Sequence, residues 1–356
     1  MQALYITSTT PTSGKTALCY GLAARMRQDG LRVGYFQPLV ILKQDGSGDA
    51  ISKDASFMRA ALNLKESQEV LSPVIIDAAG LEKALGGQPS NYAERIEQAF
   101  VEVAKDKDVL LIEGAATLNE GLLLDLPPQA LAARFNTRVL VVIKYSDELA
   151  LDGLLAAKVQ FGASLLGAVL NEVPLPNLQF VEHSVVPFLL SRRVPVYATL
   201  PRERLLMALT VNEIAEFLGA EILNSPEQGD QLVENFLVGA MSVDAALSYF
   251  RRQPHKAVIT GGDRSDIQLA ALETSTRCIV LTGNIPPGAV ILSRAEELAV
   301  PLLLAKQDTL SVVEILEQYF GRIHFHQPHK VAFYQELLAK YFDFPRFYAD
   351  LKINQE

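Results

Sequence analysis

A chain of 356 residues is too long for one compact core and fits two domains. It is 49% hydrophobic and 21% charged, as folded chains ordinarily are, and its net charge of −9 argues against nucleic acid or anionic lipid as a main partner. Two widely separated cysteines, Cys19 and Cys278, form no metal spacing and fit a reducing, cytoplasmic setting. No apolar stretch suits a membrane span: the best, residues 153–170, is interrupted by Lys158 and Gln160. Lys15 interrupts the start of the chain, so no signal peptide is expected.

The most informative stretch comes first, Tyr5-Ile-Thr-Ser-Thr-Thr-Pro-Thr-Ser-Gly14-Lys15-Thr16. A short apolar run at residues 3–6 predicts a strand. Small polar residues then lead through Thr12, Ser13 and Gly14 into a helix that opens on Lys15, Thr16 and Ala17. Such a loop turns backbone N–H groups around phosphate oxygens, and the helix N-terminus adds its positive dipole end. Lys15 would reach the β- and γ-phosphates, and the Thr16 hydroxyl would hold Mg²⁺. A glycine is usual five residues before Gly14; here that position is Thr9. The plainer reading is an ordinary strand-to-helix turn that carries one lysine.

Apolar residues at helical spacing, including Leu18, Leu22 and Met26, predict a helix over 16–28, with Gly30 able to cap it. Val33-Gly-Tyr-Phe36 reads as a strand and residues 43–53 as a loop. Helices are predicted near 54–62 and 92–104. Fully apolar runs at 109–112, 139–143, 165–170 and 196–200 are strands covered on both faces, so a parallel sheet between helices is expected. Ligands of such sheets bind beyond the carboxyl ends of the strands, where the loop, Glu113 and Asn171 all fall.

A boundary is placed near residues 201–210. Thr210-Val-Asn-Glu213 forms a capping box for a helix over 211–218 that ends at Gly219. Beyond it, strands are predicted near 236–239, 257–260, 278–282 and 302–305. Helices are predicted near 243–251, 265–272, 293–299 and 309–319. This is a second, smaller α/β domain. Gly261-Gly-Asp-Arg264 is a tight turn between strand and helix, with Asp263 or Ser265 able to cap the helix. It would bind a small anion or nucleotide, or dock on a second subunit; the plainer reading pairs Asp263 with Arg264. The aromatic-rich tail is expected to pack as one helix and an extended end. His324, His326 and His329 read as a solvated connector rather than a zinc site.

Ser13-Gly-Lys-Thr16, Asp54-Ala55, Leu111-Ile-Glu-Gly-Ala115 and Gly167-Ala-Val-Leu-Asn171 resemble dethiobiotin synthetase and the similar N-terminal domain of long phosphotransacetylases. Val238-Gly-Ala-Met241 and Val258-Ile-Thr-Gly-Gly-Asp-Arg-Ser-Asp-Ile267 resemble the DRTGG domain. The resemblance implies a P-loop nucleotide-binding domain over 1–205, a DRTGG domain over 212–322 and a tail over 323–356. It places the phosphotransacetylase catalytic domain beyond the DRTGG domain, where it would need about three hundred further residues. The chain is therefore expected to lack it and to show no acetyl transfer.

The resemblance further implies ATP or ADP with Mg²⁺ as cofactors. Thr16, Asp54 and Glu113 would be the oxygen ligands of the metal, directly or through water. Lys15 and Glu113 would be the catalytic pair, and Asn171 would read adenine through its amide. Asp54 as a helix N-cap and Asn171 as a turn residue are the plainer alternatives. Dethiobiotin synthetase carries a substrate lysine in a Lys-Pro-Val segment, whereas this chain reads Gln37-Pro38-Leu39. Two function classes follow. One is an ATP-binding regulatory protein linked to acetate or central carbon metabolism, acting through a protein partner and forming a homo-oligomer through the DRTGG domain. The other is an ATP-dependent ligase or kinase acting on a small carboxylate.

Overall fold

The computed structural model describes residues 1–42, 52–88, 90–319, 325 and 327–353. The predicted loop at 43–53 falls largely outside them, as do His324 and His326. The chain forms two compact units, Met1–Arg202 with Phe325–Glu356, and Glu203–His324.

The first unit is built on eight strands: β1 (Gln2–Ser8), β2 (Val33–Phe36), β3 (Leu39–Ile41), β4 (Val74–Ile76), β5 (Val109–Glu113), β6 (Arg138–Lys144), β7 (Leu165–Val173) and β8 (Val196–Pro201). Six of them form one parallel sheet in the order β2-β5-β1-β6-β7-β8. The apolar runs explain this sheet. Leu110, Leu111, Ile112, Leu140 and Val141 are fully buried, which requires cover on both faces. β1 sits in the middle, and later strands add on either side of it. Its carboxyl end is therefore a switch point of the kind where α/β sheets bind ligands.

Two helices position the site. α1 (Lys15–Gln28) follows β1 directly, and α2 (Lys53–Ala61) lies between β3 and β4. α1 ends as predicted: Gly30 has φ 88° and its N–H donates to the Arg27 carbonyl at 3.0 Å. The β3–β4 pair is a separate parallel ribbon that the sequence reading missed, since three-residue strands carry no usable periodicity. β7 also runs past Asn171, because a register shift with Glu172 at φ 54° lets pairing with β8 resume at Val173.

The tail corrects another expectation. It is two helices, Pro328–Tyr341 and Phe344–Leu351, rather than one helix and an extended end. Asp343 caps the second through Oδ1, which accepts from the Arg346 N–H at 3.1 Å. Between them Phe342 bridges Ala198 on β8, and the Asp343 N–H donates to the Tyr197 carbonyl at 2.8 Å. The tail thus covers an edge strand of its own unit.

The second unit contains β9 (Leu209–Thr210), β10 (Glu221–Ile222), β11 (Leu232–Val233), β12 (Asn235–Val238), β13 (Lys256–Gly261), β14 (Thr276–Thr282) and β15 (Leu302–Leu304). β12 to β15 are parallel, β10 joins β15 antiparallel, and β9 pairs with β11 apart from the main sheet. Helices cover both faces, giving two apolar layers, one around Ile214, Val280 and Val312 and one around Phe250, Ile267 and Ile291. The Thr210–Glu213 capping box forms as read, and Gly219 closes that helix at φ 55°. The helix predicted at 293–299 starts earlier, at Ala289–Glu297, because Gly288 after the Pro286-Pro287 pair provides its N-cap.

Candidate functional site

β1 delivers the loop between β5 and β6, with Ile6 in register with Glu113 and Ser8 with Val142. Gly14 caps α1 in the left-handed region, at φ 87°, ψ 23°. Only glycine fits there, since a Cβ would also lie 2.5 Å from Asn171 Nδ2. Thr12 is left-handed as well, at φ 54°, a conformation that costs a β-branched residue about 1–3 kcal/mol. The loop braces itself through Ser13 Oγ, which donates to the Thr10 carbonyl at 2.6 Å. The first bond of α1 runs from Leu18 N to Gly14 O, and no side chain caps the helix. The N–H groups of Lys15, Thr16 and Ala17 therefore have no partner within the helix and suit an anion.

The predicted charged residues come together beneath this loop. Lys15 is 9% exposed, and its Nζ donates to Ser8 Oγ at 2.8 Å. Ser8 Oγ also lies 2.8 Å from the Ala116 carbonyl and 2.9 Å from that of Thr10. Thr16 Oγ1 donates to Glu113 Oε1 at 2.6 Å. Tyr35, which sequence reasoning missed, donates from its hydroxyl to Glu113 Oε2 at 2.8 Å. Nothing in the sequence marks Tyr35, because the contact depends on how β2 and β5 align.

Burial dominates the electrostatics. It pushes the Glu113 carboxyl up to about 7, with the Asp54 charge adding to it and Thr16, Lys15 and Tyr35 opposing it. Burial also lowers the Lys15 ammonium, while the negative charge of Glu113 holds it up. The Tyr35 phenol is driven well above its usual range by burial and by Glu113.

Asp54 sits in the first turn of α2, where its charge acts on Glu113 and Lys15, but it does not cap the helix. Ser52 is the N-cap, its Oγ accepting from the Ala55 N–H at 3.0 Å. The Ser52 hydroxyl donates to Gln37 Oε1, and the Ser52 carbonyl accepts from Gln68 Nε2 at 3.0 Å. Gln37 is thus buried in a clasp that holds the start of α2. Asn171 is not a turn residue but lies within β7, and its Nδ2 donates to the Ser13 carbonyl at 2.8 Å. Its side chain braces the loop directly.

In the second unit, Gly262 makes the close approach that the paired glycines predict. A Cβ there would lie 1.8 Å from the Ile285 carbonyl oxygen. Gly261 ends β13 and its carbonyl accepts from the Arg264 N–H at 3.1 Å. Neither Asp263 nor Ser265 caps the next helix: Arg264 occupies the N-cap position without a side-chain cap bond. Arg264 does not pair with Asp263 either. It forks onto Asp266, Nε to Oδ1 at 2.9 Å and Nη2 to Oδ2 at 3.0 Å, and Nη2 also donates to the Met241 carbonyl at 3.2 Å.

Among the described residues, no group of three or more His, Cys, Asp and Glu side chains is arranged to hold a metal ion. Cys19 and Cys278 are buried and free, and among the described residues no helix is long and apolar enough to cross a membrane.

The family profile of the AAA domain matches residues 2–210, and that of the DRTGG domain matches residues 213–319. A phosphate acetyltransferase of Nitratidesulfovibrio vulgaris is 24% identical over 360 residues, covering 96% of this chain and 50% of that protein. An ATP-dependent dethiobiotin synthetase of Caldicellulosiruptor saccharolyticus is 26% identical over 121 residues, 33% of this chain and 49% of that protein. Among solved structures, the MinC:MinD cell division protein complex of Aquifex aeolicus aligns with a TM-score of 0.36 at 14% identity, covering 58% of this chain and 84% of that one. The chain spans about half the length of the curated relatives it matches. With its left-handed Gly14, Lys15 and Thr16 at the end of β1, the chain belongs to the AAA domain family, as a P-loop relative of the phosphate acetyltransferases that carries a DRTGG domain.

Proposed function

We propose that the first unit binds ATP or ADP with Mg²⁺, and that the chain works as a nucleotide-responsive regulatory protein. The reading rests on one observation: Lys15, Thr16 and Glu113 meet under an uncapped helix N-terminus at the switch point of a parallel sheet. The N–H groups of Gly14 to Ala17 and the Lys15 ammonium would hold the phosphates. Thr16, Glu113 and Asp54 offer hard oxygens, a donor set that suits a Mg²⁺ ion completing its shell with phosphate and water rather than one caged by protein. Bound there, Mg²⁺ would neutralise phosphate charge. Asn171 Oδ1 would be an acceptor for the adenine amino group, since Nδ2 already serves the loop.

Gln37 favours regulation over ligation. Its neutral amide cannot balance a carboxylate substrate, and its oxygen is committed to Ser52. The intact set of Lys15, Thr16, Glu113 and Asp54 supports a second reading, an ATP-dependent ligase or kinase for a small carboxylate; ATP turnover against a panel of carboxylic acids separates the two. In the regulatory reading the protein is cytoplasmic. The DRTGG domain serves as sensor and dimerisation unit, and the output reaches acetate or central carbon metabolism through a protein partner.

Calorimetry with ATP or ADP and Mg²⁺ tests the nucleotide reading. Binding should be measurable in the unsubstituted chain and lost in Lys15→Ala. Equal binding by the variant would sink the assignment.

A further inference from the structure

Tyr35 belongs to no motif. Its register partner on β5 is Leu111, so strand alternation places both on the sheet face that Glu113 shares two residues later. The ring is fully buried, and its hydroxyl is 2.8 Å from Glu113 Oε2. Thr16 Oγ1 holds the other oxygen at 2.6 Å. The Cys19 thiol, one helical turn beyond Lys15, faces the same carboxylate, and Lys15 and Asp54 act on it by charge.

A phenylalanine would fill this volume without burying a hydroxyl, so the hydroxyl needs a reason to be there. With a single donor on Oε1, a carboxylate keeps rotational freedom about its terminal bond. A donor from the sheet on one oxygen and a donor from α1 on the other fix its plane. The Thr16 proton is then committed to Oε1. A hydroxyl has one proton and two lone pairs, so Thr16 is left presenting oxygen to whatever approaches.

Resting on the nucleotide reading above, we infer that Tyr35 is a positioning residue for the divalent cation: it holds Glu113 so that Thr16 turns its lone pairs, and not its proton, toward Mg²⁺. Tyr35 itself touches neither nucleotide nor metal in this scheme. Partners that orient metal ligands in this way are typically worth about 10- to 100-fold in metal affinity.

The test is calorimetry of ADP binding to the unsubstituted 356-residue chain and to Tyr35→Phe, each in Mg²⁺ and in EDTA. In EDTA the two chains should bind ADP alike, which also certifies that the variant is folded. In Mg²⁺ the unsubstituted chain should gain affinity, and Tyr35→Phe should lose about ten-fold or more of that gain. An undiminished gain in the variant overturns this inference and leaves the nucleotide reading standing. Equal losses in Mg²⁺ and EDTA make Tyr35 a residue of the fold alone and overturn it as well. Failure of the unsubstituted chain to bind ADP under either condition overturns the nucleotide reading, and this inference with it.

Discussion

Asn171 on β7 donates its Nδ2–H to the carbonyl of Ser13, 158 residues earlier in the chain, at 2.8 Å. The same nitrogen occupies the space a side chain on Gly14 would need. The loop's shape therefore depends on a strand on the far side of β6. Asn171→Ala removes a buried bond worth about 1–3 kcal/mol and should weaken nucleotide binding about ten-fold or more. Gly14→Ala adds a left-handed penalty of about 1–2 kcal/mol to a direct clash, so it should abolish binding and lower the melting temperature. Titration calorimetry and thermal unfolding of both variants check this; an Asn171→Ala chain with unchanged affinity would show that the brace is dispensable.

Glu113 makes stability depend on pH. Its carboxyl titrates at about 7 in the folded chain, against 4.5 for an ordinary glutamate. Between those values the folded state holds a proton that the unfolded state has released. This contribution is fully present below about pH 4.5 and is lost as pH rises through about 7. Glu113→Gln removes the titration. Melting temperatures measured across that window should therefore fall less steeply in the variant than in the unsubstituted chain. Parallel slopes would place the titration elsewhere.

What could be read before the structure was local. The order of strand, loop and helix around Gly14 is legible within fifteen residues, and Glu113 stands out as a carboxylate closing an apolar run. The missing parts are contacts between segments distant in sequence. Tyr35 reaches Glu113 only because β2 lies beside β5, an order that no periodicity encodes. Asp54 looks like a helix cap until Ser52, two residues earlier, is seen to take that role. Arg264 follows Asp263 in sequence, yet its fork matches Asp266, where the helix turns the carboxylate toward it.

The tail should be indispensable to the first unit. Gly21 on α1 leaves room for Leu338, whose Cδ1 would lie 2.2 Å from a Cβ at that position. Phe347 is fully buried, Arg25 lies over the Phe344 ring at 4.8 Å, and the Tyr348 hydroxyl donates to Asp29 at 2.7 Å. A chain ending at residue 324 would expose α1 and the β8 edge together. It should aggregate or lose the cooperative unfolding of the first unit. Phe347→Ala should cost about 3–5 kcal/mol, and Gly21→Val about 1–3 kcal/mol, in denaturant unfolding. A truncated chain that melts like the full one would make the tail an accessory.

The proposed self-association can be tested on one face of the second unit. Arg264 spends its fork on Asp266 and Met241, so the glycine turn has little left to offer a second subunit. The helices Val243–Phe250, Ser265–Leu272 and Ala289–Glu297 instead leave Tyr249, Leu269 and Val290 exposed, Val290 at 75%. These helices cover one face of the second sheet, which makes the three side chains convenient positions at which to test that face. A second copy would offer that surface by symmetry. Sedimentation equilibrium of the full chain at micromolar concentration should give at least a dimer. Leu269→Glu or Val290→Glu should dissociate it while leaving nucleotide binding in the first unit intact. A monomeric unsubstituted chain would refute self-association, and a dimer indifferent to both substitutions would move the interface to another face.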